Sequence, residues 1–306
     1  MTAPSRYADW FHEVWPVPIK ATGVGYAAVA YIISRWLTRR SPIAITFPVL
    51  PGQLRLESLT TTTDDNIRLF GWCIEPAKPR ATVVLHHGMR DCRLQMLDRV
   101  QWLAEMGFRC VLFDHRNHGE SEGRLTSFGW HERKDAMAIA RYVAERWPAQ
   151  PRAALGCSMG AAALCYSGEA SRVYRAIVLE NLYRDLATAF DSRIGTGYPG
   201  WVKHFRHGVV WITEKRLGMR LTDASPIARI ADLAPTPILL LTGSDDAHAP
   251  PAEVQSIAAQ IPDSSQFAVI AGAEHSDVFA RGGEAYRRLV MEFLERNLFK
   301  ALCHAA

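Results

Sequence analysis

Short, uninterrupted apolar runs alternate with helical spacings over most of the chain. Ala81 to His86, Phe108 to Asp114, Arg152 to Gly156, Arg175 to Glu180, Pro237 to Thr242 and Gln266 to Ala271 each predict a strand. Continuous apolarity, as in Ala81 to His86, is what a strand buried on both faces of a parallel sheet requires. Between the runs, Cys92 to Met106 places Leu94, Leu97, Val100 and Leu103 at helical spacing and stops at Gly107. His131 to Trp147 predicts a helix closed by Pro148. Gly283 to Leu298, with Tyr286, Leu289, Val290, Phe293 and Leu294 on one face, predicts the last helix. Upstream, Gln53 to Thr60 and Asn66 to Ile74 carry β-formers around the polar turn Thr61 to Asp65, which predicts a hairpin. Strands alternating with helices imply an α/β fold, a mostly parallel sheet covered by helices on both faces.

The apolar stretch Ala21 to Ser34 stands outside this alternation and predicts an N-terminal hydrophobic helix. Its uncharged core is shorter than the roughly 17 to 25 residues a spanning helix needs, although Trp36 and Leu37 extend it if Arg35 snorkels. The stronger positive cluster, Arg35, Arg39 and Arg40, follows the apolar run, opposite to the order in a cleaved signal peptide. Three readings stay open for residues 21–37: a membrane anchor or interfacial helix, a helix packed on the body, and a dimerisation element. Under the first, the basic cluster keeps the remainder on the cytoplasmic face, so the expected location is cytoplasmic, free or attached to the inner face of the membrane. Pro48 to Gly52 interrupt the pattern and place a boundary. The expected units are therefore residues 1–50 and a catalytic domain over 51–306.

Composition narrows the class. At 306 residues, 48% hydrophobic and 22% charged, the chain can bury a large core and is not globally disordered. A net charge of +4 lacks the concentrated basic stripe of a nucleic-acid binder, and no nucleic-acid partner is expected. Six cysteines without CxxC spacing read as free thiols, neither a disulfide framework nor a zinc site. No cofactor or metal is expected.

The candidate chemistry centres on Gly156-Cys157-Ser158-Met159-Gly160, between the apolar Ala153-Ala154-Leu155 and the small, helix-compatible Ala161 to Leu164. A strand entering a helix through Gly-x-Ser-x-Gly is a nucleophile elbow, in which Gly156 and Gly160 permit a tight turn that exposes the Ser158 hydroxyl. By itself the pentapeptide is equally a glycine-rich turn between packed elements.

Further motifs fall in an order that matters: His87-Gly88 after one strand, Asp114 to Ser121 after the next, the elbow, Gly243-Ser-Asp-Asp246 with Pro250, and Gly272-Ala-Glu-His275. From about Gln53 to the C-terminus this order resembles the α/β-hydrolase superfamily, and within it the bacterial serine hydrolases labelled S33-peptidase-like or BEM46-like. Two departures stand out. Asn117 occupies a position where these proteins usually have glycine, and Ala247-His248-Ala249 replaces the commoner Pro-hydrophobic-Val before Pro250.

A serine hydroxyl needs a base, and neutral imidazole is suited to that task near pH 7. His275, in the loop after the last strand, is the candidate; a carboxylate must fix its tautomer. Asp246 fits the order Ser, Asp, His, with the adjacent Asp245 as rival and Glu180 as a lesser alternative. The backbone N–H groups of Met159 and Met89 are the candidate oxyanion donors, with His87 and Gly88 as the supporting loop. His86, His87, Asp114, His115 and His118 could be read as a metal cluster. Adjacent strand residues point to opposite faces, however, so a self-bonded loop shaping the site floor is the favoured reading. Cys157 is expected to pack beneath the turn.

Tyr183 to Asp223 is too long for a simple connection and predicts an inserted cap over residues 183–223. It combines Phe190, Tyr198, Trp201, Phe205 and Trp211 with Arg193, Lys203, His204, Arg206, His207, Lys215, Arg216 and Arg220. One reading packs the aromatics on the sheet with the bases in solvent. The sharper one rests the cap on an anionic membrane or admits an acyl substrate with an anionic head. The expected activity is that of a serine hydrolase on a small ester or thioester, lipid-like or not. Acyl transfer, amide cleavage and a non-catalytic binding protein are the alternatives.

Overall fold

Eight strands form one sheet in the order β1-β2-β4-β3-β5-β6-β7-β8. The computed structural model describes residues 23–41, 43–190 and 200–299. β1 (Arg55–Thr62) and β2 (Arg68–Glu75) are the antiparallel hairpin, and β2 also runs antiparallel to β4 (Phe108–Phe113). β3 (Ala81–His86), β4, β5 (Arg152–Cys157), β6 (Ala176–Glu180), β7 (Ile238–Gly243) and β8 (Gln266–Ile270) are mutually parallel. Every residue of β3, β4, β6 and β7 is buried, which is why these runs show no alternation in sequence.

Alternate side chains along the central strands feed two cores. Val84, Val111, Ala154, Ile177 and Leu240 face one. Val83, Leu85, Cys110, Leu155, Val178 and Leu239 face the other. The second core is closed by helices α2 (Leu97–Glu105) and α7 (Val278–Phe299). The first is closed by α3 (Glu132–Arg146), α4 (Met159–Tyr166) and α6 (Pro251–Ala258). Two predicted helices differ in detail. The stretch from Cys92 opens with a 3-10 turn, Arg93–Met96, because the Arg93 amide donates to Asp114 Oδ1 at 2.8 Å and its guanidinium bonds the same carboxylate. α7 starts at Val278, before Gly283, which absorbs a kink at φ 47° that glycine tolerates.

Helix α1 (Gly23–Leu37) packs along α5 (Arg206–Leu217), within the segment predicted as a cap. The two helices approach closely at Gly208, where a Cβ would lie 2.5 Å from Tyr26 Cε1 and 3.0 Å from Ala30 Cβ. Tyr26 OH accepts from the Gly208 amide at 3.1 Å, and its ring stacks on Phe205 at 5.0 Å. One turn along, the buried Ser34 hydroxyl meets Thr213 Oγ1 at 3.0 Å and Arg216 Nη1 at 2.9 Å, and the same Nη1 reaches Thr38 Oγ1 at 2.8 Å. Of the three readings of the N-terminal stretch, the described residues show packing on the body. Among them no helix is long and apolar enough to cross a membrane. Phe205 thus packs on α1, and Trp211 is 61% exposed. Ala21, Arg193, Tyr198 and Cys303 lie outside the described residues.

Beneath the elbow, Glu180 at the end of β6 is fully buried and bound to Arg99 at 3.0 Å (Nε) and 2.6 Å (Nη2), and to Tyr286 OH. It ties α2 and α7 to the sheet, and its carbonyl accepts the Ser158 amide at 2.8 Å. Removing one partner leaves a buried charge unpaired, which typically costs about 3 to 5 kcal/mol. Arg99→Leu is therefore expected to lower the urea-unfolding free energy by that order, and adding Glu180→Gln to recover part of it. An unchanged unfolding midpoint in Arg99→Leu would contradict this assignment.

Candidate active site

Ser158 stands at the β5–α4 junction with φ 51° and ψ −110°, outside the regions L-residues prefer. The glycines on either side explain how the turn is tolerated. A Cβ on Gly156 would lie 2.7 Å from the Ala161 amide nitrogen, and one on Gly160 would lie 2.4 Å from the His86 carbonyl oxygen. Neither backbone atom can yield, so α4 approaches β3 and β5 this closely only with glycine at both places.

The hydroxyl so presented lies 2.9 Å from His275 Nε2. His275 Nδ1 lies 2.8 Å and 3.0 Å from the two oxygens of Asp246. His275 comes from the loop after β8, and its carbonyl is held by the Asn181 side-chain amide. Asp246 is buried in the loop after β7, where Oδ1 also accepts the amides of His248 and Ala249 at 2.7 Å and 2.8 Å. Burial pushes its carboxyl upward, but the His275 hydrogen bond and charge, with those two amides, outweigh burial and hold it below the ordinary aspartate value. An ionised Asp246 makes His275 Nδ1 the donor, which leaves Nε2 as acceptor for the serine proton. The rivals fall elsewhere. Asp245 is exposed and bonds Ser244 Oγ at 2.7 Å, and Glu180 is consumed by Arg99 and Tyr286. Cys157 is buried, which with the nearby Glu180 charge pushes its thiol up to about 12.

Met89 and Met159 line the same cavity as the serine. Neither the Met89 nor the Met159 N–H makes a hydrogen bond among the described residues. Met159 is the first residue of α4, where amides lack intrahelical acceptors. The direction of the Met89 amide is set by histidines. His87 Nδ1 donates to the Gly88 carbonyl at 2.7 Å while its Nε2 accepts the His115 amide at 2.9 Å. In a trans peptide the C=O and N–H point oppositely, so fixing the Gly88 carbonyl aims the Met89 N–H away from His87. On the next peptide, the Arg90 amide donates to His118 Nε2 at 3.2 Å, and His118 Nδ1 bonds the Arg116 carbonyl at 2.8 Å. The Gly88 amide is fixed by Gln95 Oε1 at 2.6 Å.

His86 and His87 do not diverge as strand neighbours would. Both rings lie 5.2 Å from His115, because the strand ends at His86 and the chain turns at His87. No group of three His, Cys, Asp or Glu among the described residues could hold a metal. The loop after β4 is self-bonded: Asp114 Oδ2 accepts the Glu120 amide at 2.9 Å, and Ser121 Oγ donates to the Asp114 carbonyl at 2.7 Å. Asn117 adopts φ 61°, a left-handed position that glycine or asparagine accepts, which accounts for that departure.

A cavity of about 700 Å³, part of it open solvent, reaches Ser158 and His275. Apart from these and His248 it is lined by apolar and aromatic side chains, among them Met89, Phe128, Phe190 and Val202. Ile33 and Leu37 of α1, Phe128, and His248, whose ring stands edge-on to His275 at 5.1 Å, carried no sequence signal as site residues. Asn181 was likewise hidden, although its place directly after β6 is where site loops emerge from a parallel sheet.

A family model described as serine aminopeptidase, S33, matches residues 77–206. Solved structures of similar fold include an esterase of Pyrococcus furiosus, Pf2001, with a TM-score of 0.71 and 21% identity over 85% of this chain and 98% of that one. The fold of this chain is that of the α/β hydrolases. The protein YfhR of Salmonella typhi is 27% identical over 268 residues, 81% of this chain and 84% of its own length. The Arabidopsis thaliana α/β hydrolase domain-containing protein WAV2 is 26% identical over 265 residues, 82% of each chain.

The histidine-set loop makes a pH prediction. Burial, with the neighbouring His118 and His115 charges, holds His87 well below the ordinary histidine value, and its Nε2 must stay unprotonated to accept the His115 amide. Above about pH 6.5 folded and unfolded chains both keep it neutral; below, only the unfolded chain takes up the proton, so stability falls as pH falls. A histidine that stays neutral when folded loses about 1.4 kcal/mol between pH 8 and pH 5.5. Urea-unfolding free energies at these two pH values should differ less in His87→Gln than in the parent by that amount. Equal pH dependence in the two proteins would contradict the assignment.

Proposed function

We propose that this α/β hydrolase is a serine hydrolase of carboxylic esters or thioesters with an apolar acyl group. The observation that carries the reading is the continuous path from Ser158 Oγ through His275 to Asp246, at 2.9 Å and 2.8 Å, opening into an apolar cavity. Ser158 Oγ attacks the carbonyl carbon as its proton moves to His275 Nε2. The imidazolium that forms is stabilised by ionised Asp246. The amides of Met89 and Met159 donate to the oxygen that gains negative charge, a contribution of about 2.7 to 4 kcal/mol per donor in comparable sites.

Collapse of the tetrahedral intermediate breaks the bond from acyl carbon to the leaving oxygen or sulfur. That leaving group takes the proton from His275. Water then adds to the acyl-enzyme with His275 again as base, releasing the acid and restoring the serine proton. The segment from Tyr183 to Asp223 acts as a cap over this chemistry, with Phe190, Val202 and Val209 facing the acyl chain. The Pyrococcus furiosus protein of similar fold is an esterase, which supports the ester reading.

Hydrolysis of p-nitrophenyl esters of graded acyl length, with p-nitroanilides as contrast, tests the reading. Turnover should be seen on the esters and fall to background in Ser158→Ala. Asp246→Asn leaves the geometry but disturbs the His275 tautomer, and kcat should drop by about 10^4. Undiminished ester turnover in Ser158→Ala would overturn the assignment.

A further inference from the structure

The wall of the cavity facing the cap is made by residues that precede the hydrolase core in sequence. α1 presents three adjoining stripes at helical spacing. Tyr26, Ala30, Ser34 and Thr38 face α5. Trp36 faces the oxyanion loop: the Arg90 guanidinium lies 3.6 Å from the Trp36 ring centroid and donates to the Trp36 carbonyl at 3.0 Å. Ile33 and Leu37, four residues apart, face the cavity that holds Ser158. Both are almost fully buried, at 4% and 5% exposure.

Helix α1 is held in this place by polar bonds that apolar contact alone would not specify. Ser34 and Thr38 are fully buried, and Thr213 and Arg216 of α5 satisfy their hydroxyls. Thr38 also joins α1 to the loop after β4, its carbonyl accepting the Thr126 amide at 3.0 Å. An unmade bond at such a buried hydroxyl is costly, so the register of α1 against the cavity is fixed rather than sliding.

From this arrangement we infer that α1 is the acyl-selecting wall of the site, with Ile33 and Leu37 setting the length of the alkyl chain it accepts. The inference rests on the hydrolase reading for its kinetic consequence but not for its binding consequence. The ligand class is an unbranched, apolar acyl chain, as an ester before the reaction and as a carboxylate after it. No polar partner for a chain is offered on this wall, and recognition there is by volume and apolar contact.

The test uses the full chain and reads both consequences. Leu37→Trp and, separately, Ile33→Trp fill the wall, while Ile32→Trp on the outer face, where Ile32 is 46% exposed, controls for the substitution itself. kcat/KM is measured on p-nitrophenyl acetate and p-nitrophenyl decanoate, and decanoate binding is measured by calorimetry. Far-UV circular dichroism melts establish folding. Losing room for even one methylene is worth about 10- to 200-fold in a hydrophobic pocket. Each wall variant should therefore lower kcat/KM on the decanoate ester by at least about tenfold more than on the acetate ester. Ile32→Trp should change neither. If both esters fall together, or if neither changes, the wall assignment is wrong. Should the intact protein hydrolyse no ester, the hydrolase reading fails and binding alone decides. Decanoate affinity reduced in a folded wall variant then upholds the inference, and equal affinity or no binding to the intact protein overturns it.

Discussion

The close approach of helix α4 to strand β3 is the constraint from which the rest of the site follows. A single added carbon at Gly160 would sit 2.4 Å from the His86 carbonyl, and one at Gly156 would strike the first turn of the helix. With both absent, the chain reverses within a few residues and Ser158 is held at φ 51° with its hydroxyl turned into the cavity. Backbone in that conformation persists only when its surroundings over-determine it. Here the Ser158 amide is bonded to Glu180, and Glu180 is itself clamped by Arg99 and Tyr286 from both covering helices. The strain at the serine is thus supported by a buried charge network on the opposite side of the sheet.

The same economy governs the neighbouring loop. His86, His87, His115 and His118 crowd together, a grouping that in sequence invites a metal. Two of them instead fix main-chain groups, His87 the Gly88 carbonyl and His118 the Arg90 amide, while His86 Nδ1 lies 3.2 Å from His115 Nε2. Imidazole suits this work because, kept neutral by burial, it is a donor at one nitrogen and an acceptor at the other. The consequence is a Met89 amide aimed by its neighbours rather than by its own side chain.

How far the sequence reveals this arrangement depends on whether a signal is local. Strand runs such as Ala81 to His86 coincide with the observed element because burial on both faces leaves no alternation to misread. Ser158, Asp246 and His275 are readable because chain order reflects the order of parallel strands, and the loops after β5, β7 and β8 meet at one end of the sheet. Asp246 could not be separated from Asp245 by spacing; the amides of His248 and Ala249 make the difference, and they converge only in the folded loop. The contribution of α1 was least legible. Its apolarity is equally that of an anchor, a packed helix or a dimer contact, and the packing of one face on the body is seen only in the fit of Gly208 against Tyr26 and Ala30 and the bonds of Ser34. Ile33 and Leu37 belong to the cavity through contacts more than a hundred residues away in sequence from Ser158.

The proposed chemistry requires that the Ser158 hydroxyl be an activated nucleophile. The most direct measurement is intact-mass and peptide mass spectrometry of the full chain after treatment with an alkyl fluorophosphonate near neutral pH. A single phosphonyl adduct on the peptide carrying Ser158, formed far more slowly in His275→Ala, is the result predicted. An unmodified protein, or an adduct on a different residue, would contradict it.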